Sequence, residues 1–164
     1  MLKLVLLTCF TSFAANAYQF EELNNYEVTA KRIESKVESI STLTNLDLEI
    51  LNNDLNQLIE EGKSIMALYE TKKPECTEQY KAFYADMSIM EDLSFDEVHK
   101  KYHDGKGLPP APKLCYLGRS QVVHPVLTKI VLKEGWNQEI KEEVLHEIEE
   151  VIEHLPKIET LLTK

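Results

Sequence analysis

The chain has 164 residues, with 28 acidic side chains against 18 lysines and arginines and a formal net charge of −10 at pH 7. An acidic surface repels phosphate backbones, so this charge argues against general nucleic-acid binding. The length is sufficient for one domain with a sizeable hydrophobic core. A total of five glycines argues against a turn-rich β fold.

The first 17 residues have the pattern of a secretory signal peptide. Lys3 provides a positive start, an uncharged and mostly apolar run covers residues 4–14, and residues 15–17 (Ala-Asn-Ala) fit a small-x-small cleavage site. The apolar run is shorter than the ~20 residues that a membrane-spanning helix needs. We therefore expect cleavage after residue 17, a periplasmic or secreted protein without a transmembrane segment, and a single domain over residues 18–164.

Apolar residues recur every three or four positions through the next part of the chain, which predicts two long amphipathic helices. The first apolar stripe runs from Leu23 to Ile40 and the second from Leu48 to Tyr69. Between them, Thr44 and Asp47 resemble a capping box that starts the second helix. Gly62 lies on the second stripe, where it would let a neighbouring element approach closely.

Two shorter helices are predicted next. Pro74 suits the first turn of a third helix, where its missing N–H costs nothing, and the apolar stripe of this helix runs from Cys76 to Met90. Ser94 and Glu97 give a second capping-box signal, which starts a short helix over residues 95–103.

The stretch from Asp104 to Pro125 differs from everything around it. Two glycines free the backbone near its start, and three prolines then hold it extended, because proline fixes φ and disfavours the α conformation in the preceding residue. We predict a pinned, solvent-facing loop over residues 104–125. Its basic and aromatic side chains would bind a partner protein or an anionic component of the cell envelope. The candidate binding residues are Lys106, Lys113, Tyr116, Arg119 and His124.

Two cysteines remain after the leader, Cys76 and Cys115. In an oxidising compartment an isolated pair most simply forms a disulfide. Closing a loop of this length is worth roughly 4 kcal/mol in the chain-entropy model. The alternative, two free thiols with redox chemistry, lacks a Cys-x-x-Cys motif. We expect a structural Cys76–Cys115 bond that tethers the loop.

Two helices complete the chain. The apolar segment from Val126 to Lys133 is interpreted as a helix, although its periodicity alone also fits a buried strand. The clearest apolar stripe in the chain then runs from Val144 to Leu162. The predicted fold is all-α, a mostly up-and-down bundle of about four long helices plus short ones, with a disulfide-tethered loop rich in proline and glycine.

Asp96, His99 and His103 form the first candidate metal site. They lie at positions i, i+3 and i+7 of the short helix over residues 95–103, so they share one face. Two imidazoles and a carboxylate are a ligand set for zinc or another divalent transition metal. The face is offset by one residue from the apolar stripe, so it lies at a half-exposed edge of the helix. Polar residues without a specific function are also expected there.

Glu143 and His146 form a second candidate, because they have the Glu-x-x-His spacing of di-iron helical bundles. The apolar stripe through Val144 turns both side chains away from the core. A di-iron centre also needs inward carboxylates from several helices, and the first three apolar stripes contain none. We reject this site.

The remaining motifs point away from catalysis and from a bound cofactor. The sequence has no Gly-x-Ser-x-Gly elbow, no P-loop and no Cys-x-x-Cys-His haem motif. We predict a non-catalytic exported bundle that binds a partner through the loop over residues 104–125; long apolar stripes would also suit a homodimer. Two alternatives stay open: a metal-binding protein that uses the Asp96 stripe, and a loop whose lysines are merely solvated.

Overall fold

The computed structural model describes the backbone of residues 3–163 and the side chains of residues 21–163. That part of the chain contains six α-helices and no β-strand. The helices are α1 (Lys3–Ser39), α2 (Asn45–Lys72), α3 (Thr77–Met90), α4 (Phe95–Val98), α5 (Cys115–Leu132) and α6 (Gln138–Leu162). None of the helices in the described range is long and apolar enough to cross a membrane. The predicted leader and its cleavage site lie outside the residues whose side chains are described, and both stay predictions.

Helices α1, α2, α5 and α6 form an up-and-down four-helix bundle. Helix α5 packs on α2 and α6, and α1 packs on the same two helices. The neighbours run antiparallel: Lys36 near the end of α1 pairs with Asp47 at the start of α2 over 2.6 Å, and Lys141 near the start of α6 donates to the carbonyl of Glu38 over 2.7 Å. The predicted all-α fold class is confirmed.

Both predicted capping boxes are present. The Thr44 hydroxyl accepts from the backbone N–H of Asp47 over 3.1 Å, and the Asp47 carboxylate accepts from the backbone N–H of Thr44 over the same distance. Ser94 and Glu97 exchange the same two bonds at the start of α4. These contacts satisfy N–H groups that the first helical turn leaves free.

The predicted loop over residues 104–125 is too long. Helix α5 begins at Cys115 and continues through Pro125, so the irregular segment ends at Leu114. Every residue from Gly118 to Leu132 is buried. A helix that is buried on all sides has no amphipathic period by which its start can be read. The interpretation of the apolar segment after Pro125 as helix rather than strand is confirmed, but its start is corrected.

Pro125 creates a gap in the hydrogen bonding of α5 that α1 fills. Proline has no backbone N–H, so the helical bond to the carbonyl of Gln121 cannot form. The buried Tyr26 hydroxyl donates to that carbonyl instead, over 2.8 Å. Gly62 of α2 makes room at the same point, because a Cβ there would lie 2.3 Å from the Gln121 oxygen. The predicted close approach at Gly62 is confirmed.

Tyr26→Phe tests this bond. The change removes one hydroxyl and leaves the Gln121 carbonyl buried without its donor, so we expect the free energy of unfolding to fall by about 1–3 kcal/mol. Urea denaturation measures the difference. The matched control is Tyr84→Phe, whose half-buried hydroxyl lies 3.5 Å from its acceptor, and which should change stability by less than about 0.5 kcal/mol. Equal losses in both variants would contradict the role given to Tyr26.

Candidate metal centre

The start of α5 is held in place by three contacts with neighbouring helices. Cys76 and Cys115 form the predicted disulfide, with their Cα atoms 5.5 Å apart. The Tyr69 hydroxyl donates to the carbonyl of Leu114 over 2.9 Å, and the Tyr80 hydroxyl donates to the carbonyl of Cys115 over 2.9 Å. These contacts therefore fix the position of Tyr116, the next residue in the chain, beside α2 and α3.

Arg119 ties α5 to the segment after α4. Its side chain is buried, and its Nε and Nη2 atoms donate to the carbonyl oxygens of Tyr102 and His103, while Nη1 donates to Gln79. The fork of guanidinium N–H groups suits such multiple acceptors. Arg119 was predicted to be exposed in a solvent-facing loop. This prediction is wrong, because Arg119 is buried in helix α5.

The segment that Arg119 holds is a π-helical turn, His99–His103, which continues α4. The N–H of Asp104 bonds to the carbonyl of His99, five residues earlier, over 2.8 Å. Turns of this kind are frequent at functional sites. The rings of His99 and His103 stack with centroids 4.2 Å apart, and the nearby carboxylate is Asp104, with one oxygen 3.4 Å from Nδ1 of His103. Asp96, the third residue of the predicted stripe, instead lines a separate groove.

One polar face of α5 points at this turn. Tyr116, Ser120 and His124 are spaced by four positions, so they share a face of the helix. The Tyr116 hydroxyl oxygen lies 2.6 Å from Nε2 of His103 and 3.3 Å from Nε2 of His124. His124 is 2% exposed. A single phenol oxygen therefore contacts two imidazoles from different parts of the chain.

Helix α6 brings two carboxylates to the same place. Glu147 lies 2.7 Å from Nδ1 of His124, and Glu150 lies 3.2 Å from Nε2 of the same ring. His154, one turn further along α6, lies 3.1 Å from the Ser120 hydroxyl through its Nδ1 atom. We call His103, Tyr116, His124, Glu147 and Glu150 the histidine cluster.

Burial dominates the protonation of this cluster. It lowers the pKa of His124 to about 4 and, with repulsion from His124 and His99, lowers the pKa of His103. It also raises the pKa of Glu147 to about 7 and raises the pKa of Tyr116. The imidazoles are therefore neutral near pH 7, the form that binds metal ions.

The shorter carboxylate contacts indicate which ring nitrogens carry protons. Glu147 lies 2.7 Å from Nδ1 of His124 and Glu150 lies 3.2 Å from its Nε2, so we assign the N–H of the neutral ring to Nδ1. We assign the N–H of His103 to Nδ1 as well, because this atom faces Asp104. Both Nε2 atoms then present lone pairs to each other, to Glu150 and to the Tyr116 oxygen. These two nitrogens, the Glu150 carboxylate oxygen and the Tyr116 oxygen are four acceptor atoms, and the phenol O–H supplies the one proton that they share. Such an arrangement favours a cation.

Glu147 and Glu150 were not predicted as site residues. Their spacing could have indicated them, because Glu147, Glu150 and His154 lie at i, i+3 and i+7 and so share one face of α6 beside its apolar stripe. The rejected pair stays outside the cluster: His146 is exposed and Glu143 is half-buried.

The five candidate binding residues do not share one surface. Tyr116 and His124 belong to the histidine cluster, and Arg119 is buried beside it. Lys106 and Lys113 are exposed on the loop, and Lys106 pairs with Asp104 over 2.8 Å. Binding of a protein or an anionic envelope component by these two lysines stays a prediction.

A comparison of the chain with known protein families, with curated proteins and with solved structures gives no match. The fold and the site therefore define the class of protein. It is an all-α, disulfide-bonded four-helix bundle with a cluster of histidine, tyrosine and carboxylate side chains between α5, α6 and the π-helical turn.

Arg119→Lys tests whether the guanidinium positions the turn. Lysine keeps the charge but lacks the fork that reaches two carbonyls, so we expect the free energy of unfolding to fall by about 3 kcal/mol. Urea denaturation measures the loss. Lys113→Ala, at an exposed loop residue, is the control and should stay within about 0.5 kcal/mol of the wild type. A variant of Arg119 as stable as this control would contradict the assignment.

Proposed function

We propose that this protein binds a transition-metal ion in the histidine cluster, with Nε2 of His103, Nε2 of His124 and a carboxylate oxygen of Glu150 as ligands. These three residues offer ligand atoms that all lie within 4.8 Å of one another. Two imidazole nitrogens and one carboxylate are a donor set of zinc and of non-haem iron sites.

The observation that carries the proposal is the contact between His124 and Glu147. Metal-binding histidines almost always donate their other ring N–H to a carboxylate, a carbonyl or water, which fixes the tautomer and the ring orientation. Glu147 receives that bond over 2.7 Å, and its side chain is 5% exposed. His103 repeats the arrangement with Asp104. The free nitrogens of both rings are thereby turned toward the same point.

Charge supports the same conclusion. Glu147 and Glu150 bring carboxyl groups to a site whose imidazoles are neutral near pH 7. Burial raises the pKa of Glu147 to about 7, so ionising this carboxyl group without a nearby cation is costly. A bound cation offsets this cost. A cleft of about 350 Å³, lined by His103, Tyr116 and residues 109–113 of the loop, opens beside two residues of the cluster.

The proposed setting is outside the cytosol. A buried disulfide pairs Cys76 with Cys115, and such bonds persist mainly in oxidising compartments. The leader-like pattern of residues 1–17 agrees with export. We therefore propose an exported metal-binding protein whose disulfide supports the segment next to the ion.

Zinc titration of untagged protein by calorimetry tests the proposal. We expect one Zn²⁺ per chain in the wild type. His124→Ala and Glu150→Ala should each weaken binding by about 100-fold or more, because each removes a ligand, and Glu147→Gln should weaken it by about 10–100-fold through the orientation of His124.

The control for this titration is His146→Ala. The side chain of His146 is 61% exposed and lies on the same helix as Glu150. Its Nε2 is 3.7 Å from Oε1 of Glu150, which is not the carboxylate oxygen that faces His124. We expect wild-type affinity from this variant, and thermal melts confirm that every variant is folded. Equal zinc binding by all four variants and the wild type would contradict the proposed ligands, and failure of the wild type to bind either zinc or iron would contradict the proposed function.

A further inference from the structure

The half-buried Tyr116 differs from the buried tyrosines in what its hydroxyl contacts. The hydroxyls of Tyr26, Tyr69 and Tyr80 each donate to a backbone carbonyl, and the hydroxyl of Tyr102 donates to the carboxylate of Asp86. The hydroxyl of Tyr116 contacts two ring nitrogens instead, at 2.6 Å and 3.3 Å. Its ring also meets the rings of His103 and His154 edge to face, which fixes its orientation.

The contacts of this oxygen exceed the protons available to satisfy them. A phenol has one O–H, and both nitrogens that face it are the lone-pair sides of neutral imidazoles. The shorter contact, to His103, takes the proton, which leaves the 3.3 Å contact to His124 without one. An ion at this point relieves the conflict, because all the facing atoms can then act as donors of electron pairs.

We infer that Tyr116 is a fourth ligand, bound as phenolate, and that it makes the site selective for ferric iron over zinc. The inference rests on the proposed function. In the binding step the phenol O–H bond breaks, the proton leaves for the solvent, and a bond forms between the phenolate oxygen and the ion. No electron is transferred.

The charge of the cluster matches a trivalent ion. The phenolate of Tyr116 and the carboxylate of Glu150 supply two negative charges at the ion, and Glu147 behind His124 supplies a third when it is ionised, while the charge of Asp104 is offset by Lys106 at 2.8 Å. Anionic oxygen ligands are hard donors and suit a hard, highly charged ion better than they suit zinc. Fe³⁺ therefore gains more from the phenolate than Zn²⁺ does.

The position of the disulfide agrees with this choice of ion. Cys115 immediately precedes Tyr116, so the Cys76–Cys115 bond restrains the phenol directly. The same bond indicates an oxidising compartment, where iron is present as the ferric ion. A restrained ligand also loses less conformational entropy when it binds.

Parallel titrations of the wild type and Tyr116→Phe with Zn²⁺ and with ferric nitrilotriacetate test the inference. We expect zinc to bind both proteins with equal affinity, because its ligands are the histidines and Glu150. Ferric iron should bind the wild type with a visible phenolate-to-iron charge-transfer band. Tyr116→Phe should lack the band and bind ferric iron about 100-fold more weakly.

Two further measurements make the result specific. Tyr84→Phe, which changes a half-buried tyrosine outside the cluster, should keep the band and the ferric affinity. Calorimetry in two buffers of different ionisation enthalpy counts released protons, and the wild type should release one more proton per ferric ion than Tyr116→Phe.

The contrary outcomes are distinct. A charge-transfer band that persists in Tyr116→Phe, or equal ferric affinity in the two proteins, would overturn the role of Tyr116 as a ligand. Zinc binding without ferric binding would overturn the selectivity and leave the proposed function standing. Failure of both ions to bind the folded wild type would overturn the inference and the proposed function together.

Discussion

Helix α5 is buried on all sides, and this burial governs how the other helices are arranged around it. Polar groups in such a helix cannot reach bulk water, so each needs a partner from another element. The carbonyl that Pro125 leaves free accepts a hydrogen bond from the Tyr26 hydroxyl. Lys129 donates to Asn56 on α2 and to Glu91, the residue that follows α3. One amide oxygen of Gln121 is an exception without a partner. The surrounding helices are thus arranged around the polar groups of α5 as well as its apolar ones.

The same constraint assembles the histidine cluster. Arg119 donates to two carbonyl oxygens of the π-helical turn and so brings His103 toward α5, while His124 lies between two carboxyl groups of α6. The disulfide and two tyrosine hydroxyls hold the first turn of α5, which sets the place of Tyr116. A buried polar network of this kind is stable when its members are satisfied, and the cation that we propose would complete the set of partners here.

Much of the fold follows from local patterns that can be read along the chain. The apolar stripes of α1, α2 and α6 repeat every three or four residues because one face of each helix is buried and the other is solvated. The capping boxes at Thr44 and Ser94 act within four residues. The Cys76–Cys115 bond could be predicted because no other cysteine follows the predicted leader. These features need no knowledge of which helices become neighbours.

The start of α5 and the composition of the site were decided only by tertiary structure. A central helix has no solvated face and hence no period, and Pro125 is tolerated inside it because Tyr26, far away in sequence, replaces the missing donor. The contacts of Tyr116 with His103 and of His124 with Glu147 join residues 13 and 23 positions apart. An all-α bundle with one disulfide can be predicted from the chain alone, because both features depend on periodicity and cysteine number. The geometry of the histidine cluster depends on which helix faces touch, and periodicity does not encode that.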